Sequence, residues 1–276
     1  MLYPGQSFVR LPVNDAGRDF FIGDLHGCVE HLEVLMKSVR FDRTRDRLFS
    51  VGDLIDHGPN SLGALARLAE WPFFHAILGN HETMAMSCRG LLRPMGDDER
   101  IWGHNGGTWS ISLRDEHWEF VDRVLSGMPL AMEIPLRDGR RVGMLHSELP
   151  VDISWSRIES LDARNINLIK AYDRGLESEV IWSRTIARAL RHLRAEGSAP
   201  QITPAGGIDL LIVGHTPTTD ELPMVAGNRW WIDTGSHMKG RVTMVEASTS
   251  KVWQATWRKD GRGPLKRVLQ QFMPVE

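Results

Sequence analysis

Cysteine is scarce in this chain of 276 residues: Cys28 and Cys88 are the two present. Two thiols cannot build a disulfide framework or a four-cysteine zinc centre, and they suit a reducing compartment. Neither sign of charge is in excess, since 33 basic and 35 acidic residues leave a formal net charge of −2. A nucleic-acid binder normally carries a basic face, so that class is not expected. No apolar run reaches the ~18 residues a membrane span needs, and no basic-then-apolar leader precedes Phe20. Internal repeats and low-complexity tracts are also lacking. The expectation is a cytoplasmic protein that engages neither nucleic acid nor membrane. A hydrophobic fraction of 42% with 25% charge is ordinary for a chain that buries a full core.

What the chain does contain is five short polar segments in a fixed order: Gly23-Asp24-Leu25-His26-Gly27, Gly52-Asp53-Leu54-Ile55-Asp56-His57-Gly58, Gly79-Asn80-His81-Glu82, Leu145-His146-Ser147 and Gly214-His215-Thr216-Pro217. Each follows a run that reads as a buried strand, at Phe20, Leu48, His75, Val142 and Leu210. Open α/β sheets bind ligands outside the carboxyl ends of their strands, so five such ends can converge on one site. Taken singly, an Asp-x-His loop or a Gly-Asn-His turn is commonplace. Four fixed residues match by chance about once in 10^5 positions at ordinary usage, so the ordered set carries the signal.

Carboxylate, amide oxygen and imidazole without thiolate suit manganese, iron or zinc. Cys28 and Cys88 are poor ligand candidates on the same ground. Asp53, between one ligand pair upstream and three ligands downstream, is the natural bridge between two half-sites. Strand-like runs, with a further one at Trp230, alternate with helical segments near Val29–Val39, Ser61–Ala69, Glu116–Leu125 and Ile158–Tyr172, which predicts a layered α/β fold. Arg184 to Arg194 is helical in spacing, and its charged side reads as a solvated face.

The order of these segments resembles the phosphoprotein phosphatase branch of the calcineurin-like metallophosphoesterases, and more narrowly the bacterial and phage lambda-type serine/threonine phosphatases. Asn105-Gly106-Gly107-Thr108-Trp109 and Ile181-Trp182-Ser183-Arg184 are similar to that subgroup, and the likeness runs from about Phe20 to Val245. The resemblance implies two face-to-face mixed β-sheets flanked by helices, with Trp231 to Ser236 fitting the strand that closes the fold. It implies a dinuclear metal site at the strand C-terminal ends: Asp24 and His26 hold one divalent ion, Asn80, His146 and His215 the other, and Asp53 bridges them. Manganese is expected, with iron or zinc as alternatives. A water bridging the ions would attack the phosphoryl group in line. His81 would be the general acid, oriented by Asp56, because an unligated imidazole beside a carboxylate can donate a proton that a ligating nitrogen cannot.

One departure stands out. These phosphatases usually carry arginine where this chain has His57, and a histidine offers fewer donors and a titrating charge. Weaker phosphate binding, or binding that sharpens towards the histidine pH range, is expected, with Arg184 as the main clamp beside His57 and Asn80. The sequence thus reads as one domain over residues 1–276, with segments 89–109 and 152–184 shaping substrate choice. Within the first segment, the sequence leaves open whether Trp102 and Trp109 cover the site or merely pack. The leading expectation is a phosphatase acting on phosphorylated proteins or peptides and on small aryl phosphates. Pro59-Asn60-Ser61-Leu62 resembles the diadenosine tetraphosphate hydrolases, a second reading. A weakened phospho-binding module is the third.

Overall fold

The computed structural model describes residues 2–93, 97–166, 175–197, 202–220, 222–256 and 269–272. In chain order the strands are β1 (Phe8–Arg10), β2 (Asp19–Ile22), β3 (Arg47–Ser50), β4 (Phe74–Ala76), β5 (Ala131–Pro135), β6 (Arg141–Leu145), β7 (Leu210–Val213), β8 (Met224–Ala226), β9 (Arg229–Trp231), β10 (Arg241–Glu246), β11 (Lys251–Thr256) and β12 (Leu269–Phe272). The α-helices are α1 (Val29–Ser38), α2 (Ser61–Ala69), α3 (Asn80–Cys88), α4 (Asp98–His104), α5 (Asp115–Leu125), α6 (Leu176–Trp182), α7 (Thr185–Ala195) and α8 (Ser236–Lys239).

Two six-stranded sheets result, in the orders β4-β3-β2-β10-β11-β12 and β1-β5-β6-β7-β9-β8. Both are mixed: β2, β3 and β4 run parallel while β10 is antiparallel to β2, and β6, β7 and β9 run parallel while β5 is antiparallel to β6. The two-residue period of a strand sends alternate side chains to opposite faces. Phe21, Phe49 and Val245 of the first sheet meet Ile134, Val142, Met144 and Ile212 of the second in one apolar layer between the sheets. Their neighbours Phe20, Ile22 and Leu48, and Leu145 and Leu211, face outward under helices, packed with Leu32, Leu35 and Leu65 on one side and Trp155, Val180 and Leu190 on the other. The outcome is the expected helix–sheet–sheet–helix arrangement.

All six strands read from the sequence are present, as are α1, α2 and α5 within a residue of the expected bounds. Two expectations need correction. Over 158–172, the described part holds short 3-10 turns at Trp155–Ser160 and Ala163–Asn165, and 167–172 lie outside the described residues. The closing strand stops at Trp231, where the chain leaves the ladder. That frees Asp233, whose carboxylate accepts from the Gly235 backbone N–H at 2.8 Å, and Ser236–Lys239 becomes a short helix.

Candidate metal centre

Each expected ligand follows a strand end as the sequence implied: Asp24 after β2, Asp53 after β3, Asn80 at the start of α3 beyond β4, His146 after β6 and His215 after β7. The first three belong to one sheet and the last two to the other, so the site lies where both sheets end. The loops are tightly wound. His26, Asp53, Asp56, His57 and His215 all adopt positive φ, from 45° to 70°, which costs an L-residue energy and clusters at functional sites. A Cβ on Gly79 would stand 2.1 Å from Asp53 Oδ1, and one on Gly214 2.1 Å from Asp24 Oδ1. These two glycines leave the space the carboxylates occupy.

The buried Glu82 ties the second loop down. Its Oε1 accepts from Leu54 N–H, and its Oε2 from the N–H groups of Asp53 and Gly79, each at 2.8 Å. Histidine tautomers follow from fixed acceptors. His26 Nδ1–H donates to the Ile55 carbonyl at 2.8 Å and His146 Nδ1–H to the Val51 carbonyl at 2.7 Å. Both therefore turn an unprotonated Nε2 inward, the outer-shell pattern of metal-binding histidine.

Among the described residues, two sets of donor atoms each gather within 4.8 Å: His26, Asp53 and His81, and Asp53, His146 and His215. Asp53 belongs to both, in keeping with a bridge. Asn80 Oδ1 completes the second group, 3.0 Å from His146 Nε2 and 2.8 Å from His215 Nδ1. The first group differs from the sequence expectation, because it holds His81 and leaves out Asp24. The Asp24 carboxylate accepts from His215 N–H at 3.1 Å and lines the same cavity. His81 Nδ1–H donates to Asp56 Oδ2 at 2.7 Å, and its Nε2 lies 3.8 Å from Asp53 Oδ2.

Charge shows what the centre can accept. Burial, with Asp233 and Asp53 nearby, pushes the Asp24 carboxyl well above its ordinary range. Burial also raises Asp233 to about 6 and, with Asp53, Glu82 to about 7. Asp53 is held low despite burial, by the imidazoles of His146, His81 and His26. Burial depresses His26 to about 3. Burial opposes protonation of His81 too, yet Asp53 and Asp56 outweigh it and lift the group to about 9. Converging buried carboxylates beside imidazoles with inward lone pairs form a donor set that fits divalent cations of the manganese, iron or zinc kind.

All the expected site residues except Asp56 and His146 line one cavity of about 910 Å³, and those two are fully buried beneath it. Arg184 caps α7 with its Nε 3.0 Å from His215 Nε2 and its Nη2–H donating to the His215 carbonyl at 3.2 Å. His57 stacks on His237, with centroids 4.5 Å apart and planes 17° apart. Burial and then His81 lower the His57 pKa, so any cationic grip by this residue falls below the usual histidine range.

The sequence reading missed His237, which also lies 4.4 Å from the His26 ring, and Asp233. Both follow β9, and the rule that ligands stand beyond strand ends could have found them. The two tryptophans left undecided are also placed. Trp102 Nε1–H donates to Asp56 Oδ2 at 2.8 Å and Trp109 Nε1–H to Asp56 Oδ1 at 2.6 Å. The α4 region therefore packs against the His81–Asp56 pair through hydrogen bonds as well as apolar contact.

Comparison with known proteins agrees with this architecture. Serine/threonine-protein phosphatase 1 of Salmonella typhimurium is 29% identical over 249 residues, which cover 89% of this chain and 99% of that protein. The symmetrical bis(5'-nucleosyl)-tetraphosphatase of Actinobacillus succinogenes is 40% identical over 70 residues, 25% of this chain and 26% of that protein. A solved protein serine/threonine phosphatase from Saccharomyces cerevisiae shares the fold, with a TM-score of 0.54 at 16% identity over 99% of this chain and 85% of its own. No helix among the described residues is long and apolar enough to cross a membrane. The family model of the calcineurin-like phosphoesterases matches residues 20–218, which span the five ligand segments, and the chain belongs to that family of phosphoester hydrolases.

Proposed function

We propose that this protein is a metal-dependent phosphomonoester hydrolase acting on phosphoserine and phosphothreonine in proteins or peptides, with broad use of aryl phosphates. The observation that carries this reading is the His81–Asp56 pair, 2.7 Å apart, set beside two donor groups that share Asp53. Full-length likeness to a serine/threonine phosphatase supports the substrate class, whereas likeness to the tetraphosphatase spans about a quarter of that protein. Because both sheets supply ligands, we treat residues 1–276 as one catalytic unit, working in the cytoplasm.

In this reading Asp24, His26 and Asp53 hold one divalent ion, and Asp53, Asn80, His146 and His215 hold the other, with manganese as the expected metal. When bound, the two ions would lower the pKa of a water and draw charge from the phosphoryl oxygens. His215 would ligate through Nδ1, so its Nε2–H donates to the Trp182 carbonyl at 3.2 Å. Arg184 Nε–H then loses an acceptor in His215 and can turn to a phosphoryl oxygen, joined by the amide of the buried Asn80 and by His57 at the rim. His81 holds its Nδ1 proton against Asp56 and presents Nε2 to the leaving oxygen, which it protonates as the P–O bond breaks. Trp102 and Trp109 fix the Asp56 carboxylate, and through it the angle of the imidazole.

The short local likeness to the tetraphosphatase keeps diadenosine tetraphosphate as a second substrate to test. Protein stripped of metal should be assayed on p-nitrophenyl phosphate, a phosphoserine peptide and diadenosine tetraphosphate, with and without added Mn²⁺. Manganese-dependent phosphate release from the peptide is the expected result. Turnover of the dinucleotide alone would overturn the substrate class, and silence on all three would favour a phospho-binding module.

A further inference from the structure

Arg184 stands at the start of α7, and two further arginines of that helix reach the same cavity. Arg188 and Arg191 follow at four and seven residues, a spacing that stacks side chains on one face of a helix. All three arginines line the cavity that also contains Asp24, Asp53 and His215. Arg18 and Arg47, also partly buried, are neutralised by Asp46 and Asp19. At Arg191 the Nε and Nη2 are buried and have no hydrogen-bond partner among the described residues; Arg229 shares that state at two of its nitrogens but does not line the cavity. This corrects the expectation of a solvated helix face at that position.

Guanidinium nitrogens buried without an acceptor are costly, and each calls for an explanation. Burial and the neighbouring Arg184 and Arg188 all work against the charge of Arg191, opposed by Asp233 and Asp220. Thr218, in the lining of the same cavity, adds a buried hydroxyl that likewise lacks a partner among the described residues. At about 910 Å³ the cavity lies near the top of the ~300–1,000 Å³ range that encloses drug-sized ligands, far more than a single phosphoryl group fills. A planar guanidinium fork matches carboxylate or phosphate oxygens in pairs.

We propose that Arg188 and Arg191 form a second oxyanion subsite beside the metal centre, which receives a carboxylate or phosphate carried by the same substrate as the scissile phosphoester. The proposal rests on the phosphatase reading and narrows it to peptides whose phosphoserine has acidic or phosphorylated neighbours.

The test uses the full chain with Mn²⁺ and three phosphoserine peptides that differ in the flanking residues alone: glutamine, glutamate or a further phosphoserine on both sides. The wild type should favour the glutamate and phosphoserine peptides by about tenfold in kcat/KM, through KM, the scale of one charge-assisted hydrogen bond. Arg191→Gln should erase that preference and Arg188→Gln, at a more exposed position, should reduce it, while p-nitrophenyl phosphate kinetics change less than twofold. Preference for both anionic peptides identifies a general oxyanion site, and preference for the phosphoserine neighbour alone a phosphate site. Absence of preference in the wild type, or preference that survives Arg191→Gln, overturns the proposal. If p-nitrophenyl phosphate is not hydrolysed at all, the phosphatase reading fails separately. Calorimetry with inorganic pyrophosphate on wild type and Arg191→Gln then decides the subsite: weaker binding to the variant supports it, and equal binding or none overturns it.

Discussion

The layer between the sheets and the loops at their carboxyl ends are equally buried and chemically opposite. Phe21, Phe49, Ile134, Met144 and Ile212 are wholly excluded from solvent between the sheets, and apolar burial of this kind stabilises by about 25 cal/mol per Å². A few residues further along the same strands, Asp24, Asp53, Asn80 and His146 are buried too, but as polar groups whose burial costs free energy. Raised carboxyl pKa values at Asp24, Glu82 and Asp233 and five positive-φ residues in the loops record that cost. The core is complete in itself and can hold a strained, repulsive end in place. The loop end gathers more buried carboxylates than His81 and Arg184 can balance, and bound cations would offset the rest.

The sharpest way to test this division is within the loops. His81→Gln should lower kcat by about 10²- to 10⁴-fold, the usual worth of a positioned acid, while bound metal, measured by elemental analysis, stays at two ions. His146→Ala should lose metal as well as turnover. Metal loss from His81→Gln would make His81 a ligand, as its grouping with His26 and Asp53 allows, and sink the acid assignment.

On the core side, Ile134→Ala should cost about 2–5 kcal/mol of stability through the cavity left behind. Its kcat and metal affinity should stay within twofold, because β5 ends at no ligand. Urea unfolding and steady-state kinetics on the same preparation check both. A tenfold fall in metal affinity would show that core and site are not separable.

A polar intruder in the core offers a smaller effect. His75 is buried, stacks on Phe49 with centroids 4.9 Å apart and accepts or shares the Tyr3 hydroxyl proton at 2.6 Å. Burial first, and then Arg47, lower its pKa from 6.5 to about 3. With the folded value below the unfolded one, its contribution is fully present above pH 6.5 and fades as pH falls towards 3. By pH 5 about 2 kcal/mol should be gone. His75→Gln should flatten the difference in unfolding free energy between pH 7 and pH 5 by about that amount; an unchanged slope would mean that His75 is not the group that titrates.

How far these features were legible in the chain depends on where ligands sit. Strands ending in a candidate ligand were readable, because an apolar run followed by Gly-Asp, Gly-Asn or Gly-His announces both the strand and a candidate site. β1 and β8 are three residues long, too short for an alternating pattern to show, and neither has the polar segment that marks β4 or the tryptophan pair that marks β9. The antiparallel β10 and β11 carry no ligand and were passed over. The site was legible as a list of residues but not as contacts. Nothing in the spacing of Trp102 and Trp109 says that both indoles reach Asp56, nor does Arg191 differ in sequence from its solvated neighbours. Those facts depend on where α4 and α7 dock.

The Trp109 contact sets the finest test of the comparison, since it joins apolar packing to the polar loop in one side chain. Trp109→Phe keeps most of the ring and removes the N–H that donates to Asp56 Oδ1, while Trp102 still donates to Oδ2. If the indole only packs, kcat and stability should hardly move. If it steadies the carboxylate, losing one hydrogen bond to a charged group predicts a fall in kcat of about tenfold, with metal content unchanged. Trp102→Phe should fall at least as far, because Trp102 shares Oδ2 with His81 and is the more buried of the two. A kcat unchanged in both variants would return the tryptophans to packing and leave Asp56 oriented by His81 and its own loop.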